Sequence, residues 1–196
     1  MRGAGLGPPP ARPKLVVLDR DGVINQDSPD FVKSPDEWIP LPGALEAIAR
    51  INQAGYRVVI ATNQSGLGRG LFDAATLNAI HAKLRAALAR HGGGVDAIFI
   101  CPHAPDEGCD CRKPLPGLYR EIARRFETDL RGVPSVGDSG RDLEAAAAAG
   151  CAPWLVLTGN GPKTLAKGQL PPGTMVWKDL GEVADALETA AQAEEH

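Results

Sequence analysis

The stretch Lys14-Leu15-Val16-Val17-Leu18-Asp19-Arg20-Asp21-Gly22-Val23-Ile24-Asn25 decides how the rest of the chain is read. Leu15 to Leu18 is a short apolar run of the kind that forms a strand buried on both faces. It leads directly into two carboxylates at positions i and i+2. On extended backbone such side chains point the same way, so Asp19 and Asp21 share one site at the carboxyl end of the strand. In open α/β sheets that edge is where ligands bind. Gly22 lets the chain turn away at once. Two like charges held this close demand a cation or a shared proton, and hard oxygen ligands favour Mg²⁺. Taken alone, the pattern also describes an acidic strand-to-loop turn.

The chain has 196 residues, enough for one domain with a proper core. With 43% hydrophobic and 23% charged residues, it has the composition of an ordinary soluble globular protein. Its net charge of −3 argues against a nucleic-acid partner, which needs a basic face. A small anionic substrate remains compatible with it. No stretch approaches the roughly 20 apolar residues of a membrane span. Residues 1–13 are rich in Gly and Pro and have no apolar centre, so they read as a disordered tail and not as a secretory signal. Residues 14–190 read as a single domain. A cytoplasmic monomer is expected, with its four cysteines reduced or metal-bound.

Hydrophobic runs and helical stripes alternate along the chain. Helices are expected at Gly43–Ala54, after Asp73, at Leu118–Phe126, at Arg141–Ala149 and from Asp179 to about Ala190. Strands are expected at Arg57–Thr62, Ala97–Ile100, Val133–Val136, Trp154–Leu157 and Met175–Trp177. The fold class is α/β, a Rossmann-like parallel sheet with helices on both faces and no separate cap domain. Gln26 to Pro42 reads as an ordered flap. Asn63 to Gly70 reads as a Gly-rich loop whose one basic residue, Arg69, suits an anion-binding rim.

Candidate chemistry gathers at strand ends. Thr62 ends the second strand, where a hydroxyl and backbone N–H groups suit a phosphoryl oxygen. Lys113, in Arg112-Lys113-Pro114, can offset the charge of a nucleophile and of a phosphoryl group. Gly137-Asp138-Ser139-Gly140-Arg141-Asp142 follows the fourth strand. Asp138 brings another carboxylate to a strand end, and Asp142 suits the first turn of the next helix. Between the third strand and Lys113 lies Cys101-Pro102-His103, then five residues, then Cys109-Asp110-Cys111. Three thiolates and an imidazole make a closed tetrahedral zinc set. A disulfide is the rival reading, which a reducing compartment disfavours. The zinc would staple the loop and aim Arg112 and Lys113. Cys151 reads as a small buried residue, and His81 and His91 as helix residues without a catalytic part.

The ordered set Asp19-x-Asp21-Gly22, Thr62, Lys113 and Asp138, spanning residues 14–157, resembles the haloacid-dehalogenase superfamily of phosphotransferases. The resemblance implies that Asp19 is the nucleophile, forming an aspartyl-phosphate, and that Asp21 protonates the leaving group and then activates water. It further implies that Mg²⁺ is held by Asp19, the backbone carbonyl of Asp21, and Asp138. With its zinc loop the chain is similar to the branch holding the D-glycero-D-manno-heptose 1,7-bisphosphate 7-phosphatases and the histidinol-phosphate phosphatases. Asn63 to Gly70 and Ile24-Asn25-x-Asp27 resemble the heptose enzymes, while the short zinc spacer also suits the histidinol enzymes. Ser139 departs from the heptose pattern, which has Lys there.

Carried over, this resemblance makes Arg20 and the flap residues Asp27, Ser28, Pro29 and Asp30 substrate contacts. Thr62, Asn63, Gln64 and Ser65 would meet the phosphoryl end, with Arg69 on the rim. Arg112 would read a second anionic group. The expected substrate is the heptose bisphosphate, cleaved at C7 in the supply of nucleotide-activated heptose for lipopolysaccharide. Histidinol phosphate is the rival within the class. A nucleic-acid 3′-phosphatase and a non-catalytic phosphate-binding module are rivals from other classes. The acidic charge argues against the former, and the complete Asp19/Asp21 pair against the latter.

Overall fold

Alternation sets which way each strand residue faces, and β1 (Leu15–Leu18) shows it within four residues. In the computed structural model, which describes residues 14–194, Val16 and Leu18 join one hydrophobic cluster, while Leu15 and Val17 join another on the opposite side of the sheet. The chain continues through α1 (Ala44–Gln53), β2 (Arg57–Asn63), α2 (Ser65–Gly68), α3 (Ala74–Arg90) and β3 (Ala97–Cys101). It then forms α4 (Gly117–Phe126), β4 (Pro134–Gly137), α5 (Gly140–Ala148), β5 (Ala152–Val156), α6 (Gly161–Lys167), β6 (Met175–Trp177) and α7 (Leu180–Glu194). Helices α1, α3 and α7 supply the first cluster, and α4 and α5 the second.

The six strands are all parallel, in the order β3-β2-β1-β4-β5-β6. The chain winds outward from β1 to β3, then crosses back to start again beside β1. At that reversal the connections leave β1 and β4 in opposite directions, and a crevice opens at their carboxyl ends. Leu18 pairs with Ile60 on one side and with Val136 on the other. Asp19, Thr62 and Asp138 therefore come to the same sheet edge. The expected parallel α/β sheet is found, with no separate cap domain among the described residues.

Local sequence explains the helices. The Asp73 carboxylate accepts a hydrogen bond from the Thr76 N–H at 2.8 Å and so caps α3. Leu77, Ile80, Leu84 and Leu88 then recur at three- and four-residue spacing and are fully buried. Three details differ from the sequence reading. Within the loop expected at Asn63–Gly70, the Arg69 N–H reaches the Ser65 carbonyl at 3.0 Å and closes the single turn of α2. Helix α6 was not expected: Pro162 opens it and Gly168 stops it, but seven residues are too few to show a periodicity. Helix α7 runs on past Ala190, to Glu194. The tail expected over residues 1–13 lies outside the described residues.

Leu84 sits at 0% exposure in the first cluster. Leu84→Ala should lower unfolding stability by about 2–5 kcal/mol in chemical denaturation. A loss under about 1 kcal/mol would mean that α3 is not packed on the sheet as described.

Candidate active site and metal centres

Asp19 extends the parallel ladder by one step beyond β1, its N–H donating to Val136 O at 2.9 Å. Its side chain is 13% exposed and faces a pocket of about 380 Å³. Lys113 enters the pocket floor from the segment between β3 and α4. Its Nζ lies 2.9 Å from Asp19 Oδ1 and 2.6 Å from Asp142 Oδ1, and donates to Ala61 O at 2.8 Å. Asn63 holds the Lys113 backbone from both ends, accepting from its N–H and donating to its carbonyl, each at 3.1 Å. The Asn63 amide, expected at the phosphoryl end, places the lysine while lining the same pocket.

Asp19, Asp138 and Asp142 lie close enough to share one ion, their ligand oxygens all within 4.8 Å of one another. The Lys113 ammonium pairs with only two of these three carboxylates, Asp19 and Asp142, so it cannot offset them all. Asp142 has the better claim on it, since Ser139 also donates to Asp142 from its N–H (3.0 Å) and its hydroxyl (2.6 Å). Burial alone would raise the Asp142 pKa, but Lys113 outweighs it and the value is lowered. Burial likewise opposes the Lys113 ammonium, yet Asp142 and Asp19 hold its pKa above the usual lysine range. Asp19 is left under-compensated: burial, reinforced by the neighbouring acids against the pull of Lys113, pushes it up to about 8. Asp138 is pushed up to about 7 by burial and by Asp142. An excess of carboxylates with raised pKa values around one lysine is the donor set that a hard divalent cation fits. The Asp21 carboxylate is not part of this set, so a contribution from Asp21 rests on its backbone carbonyl.

Asp21 turns instead toward donors. Arg20 grips it from Nε (3.1 Å to Oδ1) and Nη2 (2.9 and 3.0 Å to the two oxygens). Asn25 donates to Oδ1 at 2.8 Å and Gln64 to Oδ2 at 2.9 Å. Arg20 is 1% exposed, and its guanidinium, expected at the substrate, is occupied by Asp21 and Gln64. The Gln64 Nε2 also donates to Thr62 Oγ1 at 2.9 Å, which leaves the Thr62 hydroxyl proton free to point into the pocket.

Of the residues that the resemblance makes substrate contacts, Asp27, Ser28, Ser65, Arg69 and Arg112 line the pocket, as do Arg20, Asn63 and Gln64. Pro29 and Asp30 do not; they are exposed, and Phe31 and Val32 face the pocket in their place. Phe31 has φ 64°, a left-handed turn that carries the next residue back inward. The reading also missed Asn160, in the loop after β5. Its backbone N–H donates to Asp138 Oδ2 at 2.7 Å, and its side chain reaches Asp27 Oδ2 at 3.0 Å, tying the flap to the acid cluster. The rule that ligands gather at strand carboxyl ends, applied to β5, points to this loop. Gly22, at φ 80°, and Gly159 press on the same acid: a Cβ on either would stand 2.0 or 2.2 Å from Asp138 Oδ2.

The second cluster lies beside the first. Cys101 Sγ is 3.7 Å from both His103 Nδ1 and Cys109 Sγ, and Cys111 Sγ is 3.3 Å from His103 Nδ1 and 3.5 Å from Cys109 Sγ. Ligands at zinc distances in a tetrahedron stand about 3.5–3.8 Å apart, whereas a disulfide needs about 2.05 Å. All four cysteines are free thiols. Arg112 Nη1 donates to His103 O at 3.3 Å, so the cluster borders the pocket through Arg112.

A parallel sheet in this strand order, with an Asp-x-Asp at the end of β1 and an acid after β4, is the build of a haloacid-dehalogenase-like hydrolase. The HAD-hydrolase-like family model matches residues 110–183. A D-glycero-beta-D-manno-heptose-1,7-bisphosphate 7-phosphatase of Bordetella bronchiseptica is 72% identical, over 89% of this chain and 97% of its own. The enzyme of that name from Pseudomonas aeruginosa is 57% identical, over 88% and 97%. The crystal structure of D,D-heptose 1,7-bisphosphate phosphatase from B. bronchiseptica, complexed with magnesium and phosphate, superposes with a TM-score of 0.89 at 71% identity, covering 90% of this chain and 99% of that one. This chain belongs to the same family as these phosphatases.

The acid cluster sets a pH dependence. Asp19 and Asp138 have folded pKa values above their unfolded ones, so their contribution to stability falls as pH rises through about 7–8. His81, lowered to about 4, opposes them only below its unfolded value of about 6.5. Between pH 6.5 and 8 the metal-free protein should therefore melt at progressively lower temperature, and added Mg²⁺ should recover more stability at pH 8 than at pH 6.5. A Mg²⁺ effect independent of pH would remove Asp19 and Asp138 from the ion site.

Proposed function

We propose that the chain is a Mg²⁺-dependent phosphomonoesterase that removes the C7 phosphate of D-glycero-β-D-manno-heptose 1,7-bisphosphate through an aspartyl-phosphate on Asp19. The observation that carries the chemistry is the Asp19 carboxylate, at the floor of a polar pocket with Lys113 2.9 Å away and a second, hydrogen-bonded Asp two residues on. The choice of substrate, and of its β anomer, follows the family relatives. The enzyme is taken as a cytoplasmic monomer of one domain, 14–190, acting in the supply of activated heptose for lipopolysaccharide.

Asp19 attacks phosphorus, and the bond from phosphorus to the C7 oxygen breaks. Asp21, aimed by Arg20, Asn25 and Gln64, gives its proton to that oxygen. In the second step Asp21 takes a proton from water as the water attacks phosphorus. The Asp19–phosphorus bond breaks and phosphate leaves. Lys113 holds Asp19 in place and offsets charge on the phosphoryl oxygens, and the Thr62 hydroxyl donates to one of them. Mg²⁺ held by Asp19, Asp138 and the Asp21 carbonyl would supply further positive charge at the same oxygens. At the far end Arg112 and Arg69 meet the second phosphate, since a guanidinium grips a phosphate through paired hydrogen bonds. Zinc held by Cys101, His103, Cys109 and Cys111 would be structural, because four protein ligands leave no open position.

The substrate is tested by turnover on the heptose bisphosphate and on histidinol phosphate, side by side. The heptose bisphosphate should be strongly preferred, and Asp19→Asn should abolish turnover while the fold remains. Equal turnover of both substrates would overturn the substrate assignment, and near-normal activity of Asp19→Asn would overturn the covalent mechanism.

The zinc loop has its own test. Purified protein should hold about one zinc per chain, the count one closed four-ligand site implies. Cys109→Ser should lose the zinc, keep its far-ultraviolet circular dichroism, and lose activity as Arg112 and Lys113 move out of place. A zinc-free wild-type protein of full activity would refute this account.

A further inference from the structure

Arg20 is buried at 1% exposure, so its guanidinium nitrogens need acceptors within the protein. Nε and Nη2 are spent on Asp21 and Gln64. Nη1 turns the other way and meets His81 Nε2, on α3, at 3.3 Å. Arginine only donates, so His81 Nε2 must accept, and the ring must be neutral with its proton on Nδ1. A protonated ring would put two cations face to face. Burial, then Arg20, does lower the His81 pKa, to about 4. Helix α3 is itself fixed in the core by Leu77, Ile80 and Leu84.

We infer that His81 is a positioning residue for proton transfer: anchored on α3, its Nε2 holds the Arg20 guanidinium against Asp21 and so fixes the aim of the Asp21 carboxyl. This rests on Asp21 being the proton donor to the leaving group. Without the His81 acceptor, Nη1 is left unsatisfied in a buried site and the guanidinium is drawn toward another partner. Asp21 then loses the grip that orients it, while Asp19, Lys113 and the acid cluster keep their own contacts. The loss therefore belongs to the proton-transfer step alone.

Leaving groups separate this role from a general structural one. The C7 alkoxide of a sugar cannot depart without a proton, whereas 4-nitrophenolate can. The quantity to compare is kcat/KM, which reports formation of the aspartyl-phosphate. His81→Leu should lose about tenfold or more on the heptose bisphosphate, a fraction of what a general acid supplies, and much less on 4-nitrophenyl phosphate. His81→Gln, whose amide oxygen can accept from Arg20, should restore most of the loss. If His81→Leu folds poorly by circular dichroism, His81→Met fills similar space without a nitrogen acceptor and is read in its place. An equal loss on both substrates, no loss on either, or no rescue by Gln would overturn the proposal. Asp21→Asn, measured alongside, tells the two failures apart. If Asp21→Asn shows the leaving-group dependence and the His81 variants do not, only His81 falls. If Asp21→Asn also lacks it, the assignment of Asp21 as the acid falls with it.

Discussion

One buried ammonium organises the site. Lys113, 2% exposed, gathers a carboxylate from the end of β1, a carbonyl from β2 and a carboxylate from the first turn of α5. A buried charge without partners is costly, and one with three partners fixes all of them relative to one another. The Asn63 side chain extends the constraint to the lysine's own backbone. The segment that follows β3 therefore cannot shift without disturbing the end of β1, β2 and the first turn of α5. The Cys/His cluster is set into that same segment, directly ahead of Arg112 and Lys113.

The lysine also explains why the two key acids differ. Asp19 and Asp21 stand two residues apart, yet they live in opposite surroundings. Asp19 shares its single cation with a stronger competitor and is left with an under-compensated charge that suits a metal ion and an electrophile. Asp21 is surrounded by donors and directed by them. Two equal side chains thus acquire different chemistry from the groups that each strand end brings near, and the backbone between them need only supply the turn at Gly22.

Much of this could be read in the sequence because it depends on short-range rules. The run Leu15–Leu18 and the i, i+2 acids fix a strand and bring both acids to one pocket, though not the opposite surroundings they meet there. The stripe at Leu77, Ile80, Leu84 and Leu88 fixes a helix, and the spacing of three cysteines and a histidine fixes a cluster. What escaped depends on which distant residues meet. His81 looks like one more polar position on a long helix until Arg20 is seen to end beneath it. Asn160 follows an unremarkable strand, and its value lies in reaching both Asp27 and Asp138. The resemblance places Pro29 and Asp30 among the substrate contacts, but a left-handed residue at Phe31 redirects the flap so that Phe31 and Val32 face inward. Helix α6 is too short for its pattern to rise above its flanking glycines.

The pinch around Asp138 limits how this sequence can drift. Gly22 and Gly159 are separated by most of the chain, yet each presents only a hydrogen to the same carboxylate oxygen. Even the smallest side chain at either position would have to displace the acid, and a compensating change at the other position creates no room, because both already offer the minimum. Random mutagenesis should find these two positions intolerant of every replacement, alanine included, while most exposed positions on the outer helices accept nearly any. Neither glycine is among the residues lining the pocket, so a selection for altered specificity would gain nothing there. The tightest constraint on the catalytic apparatus falls on two residues that have no functional group.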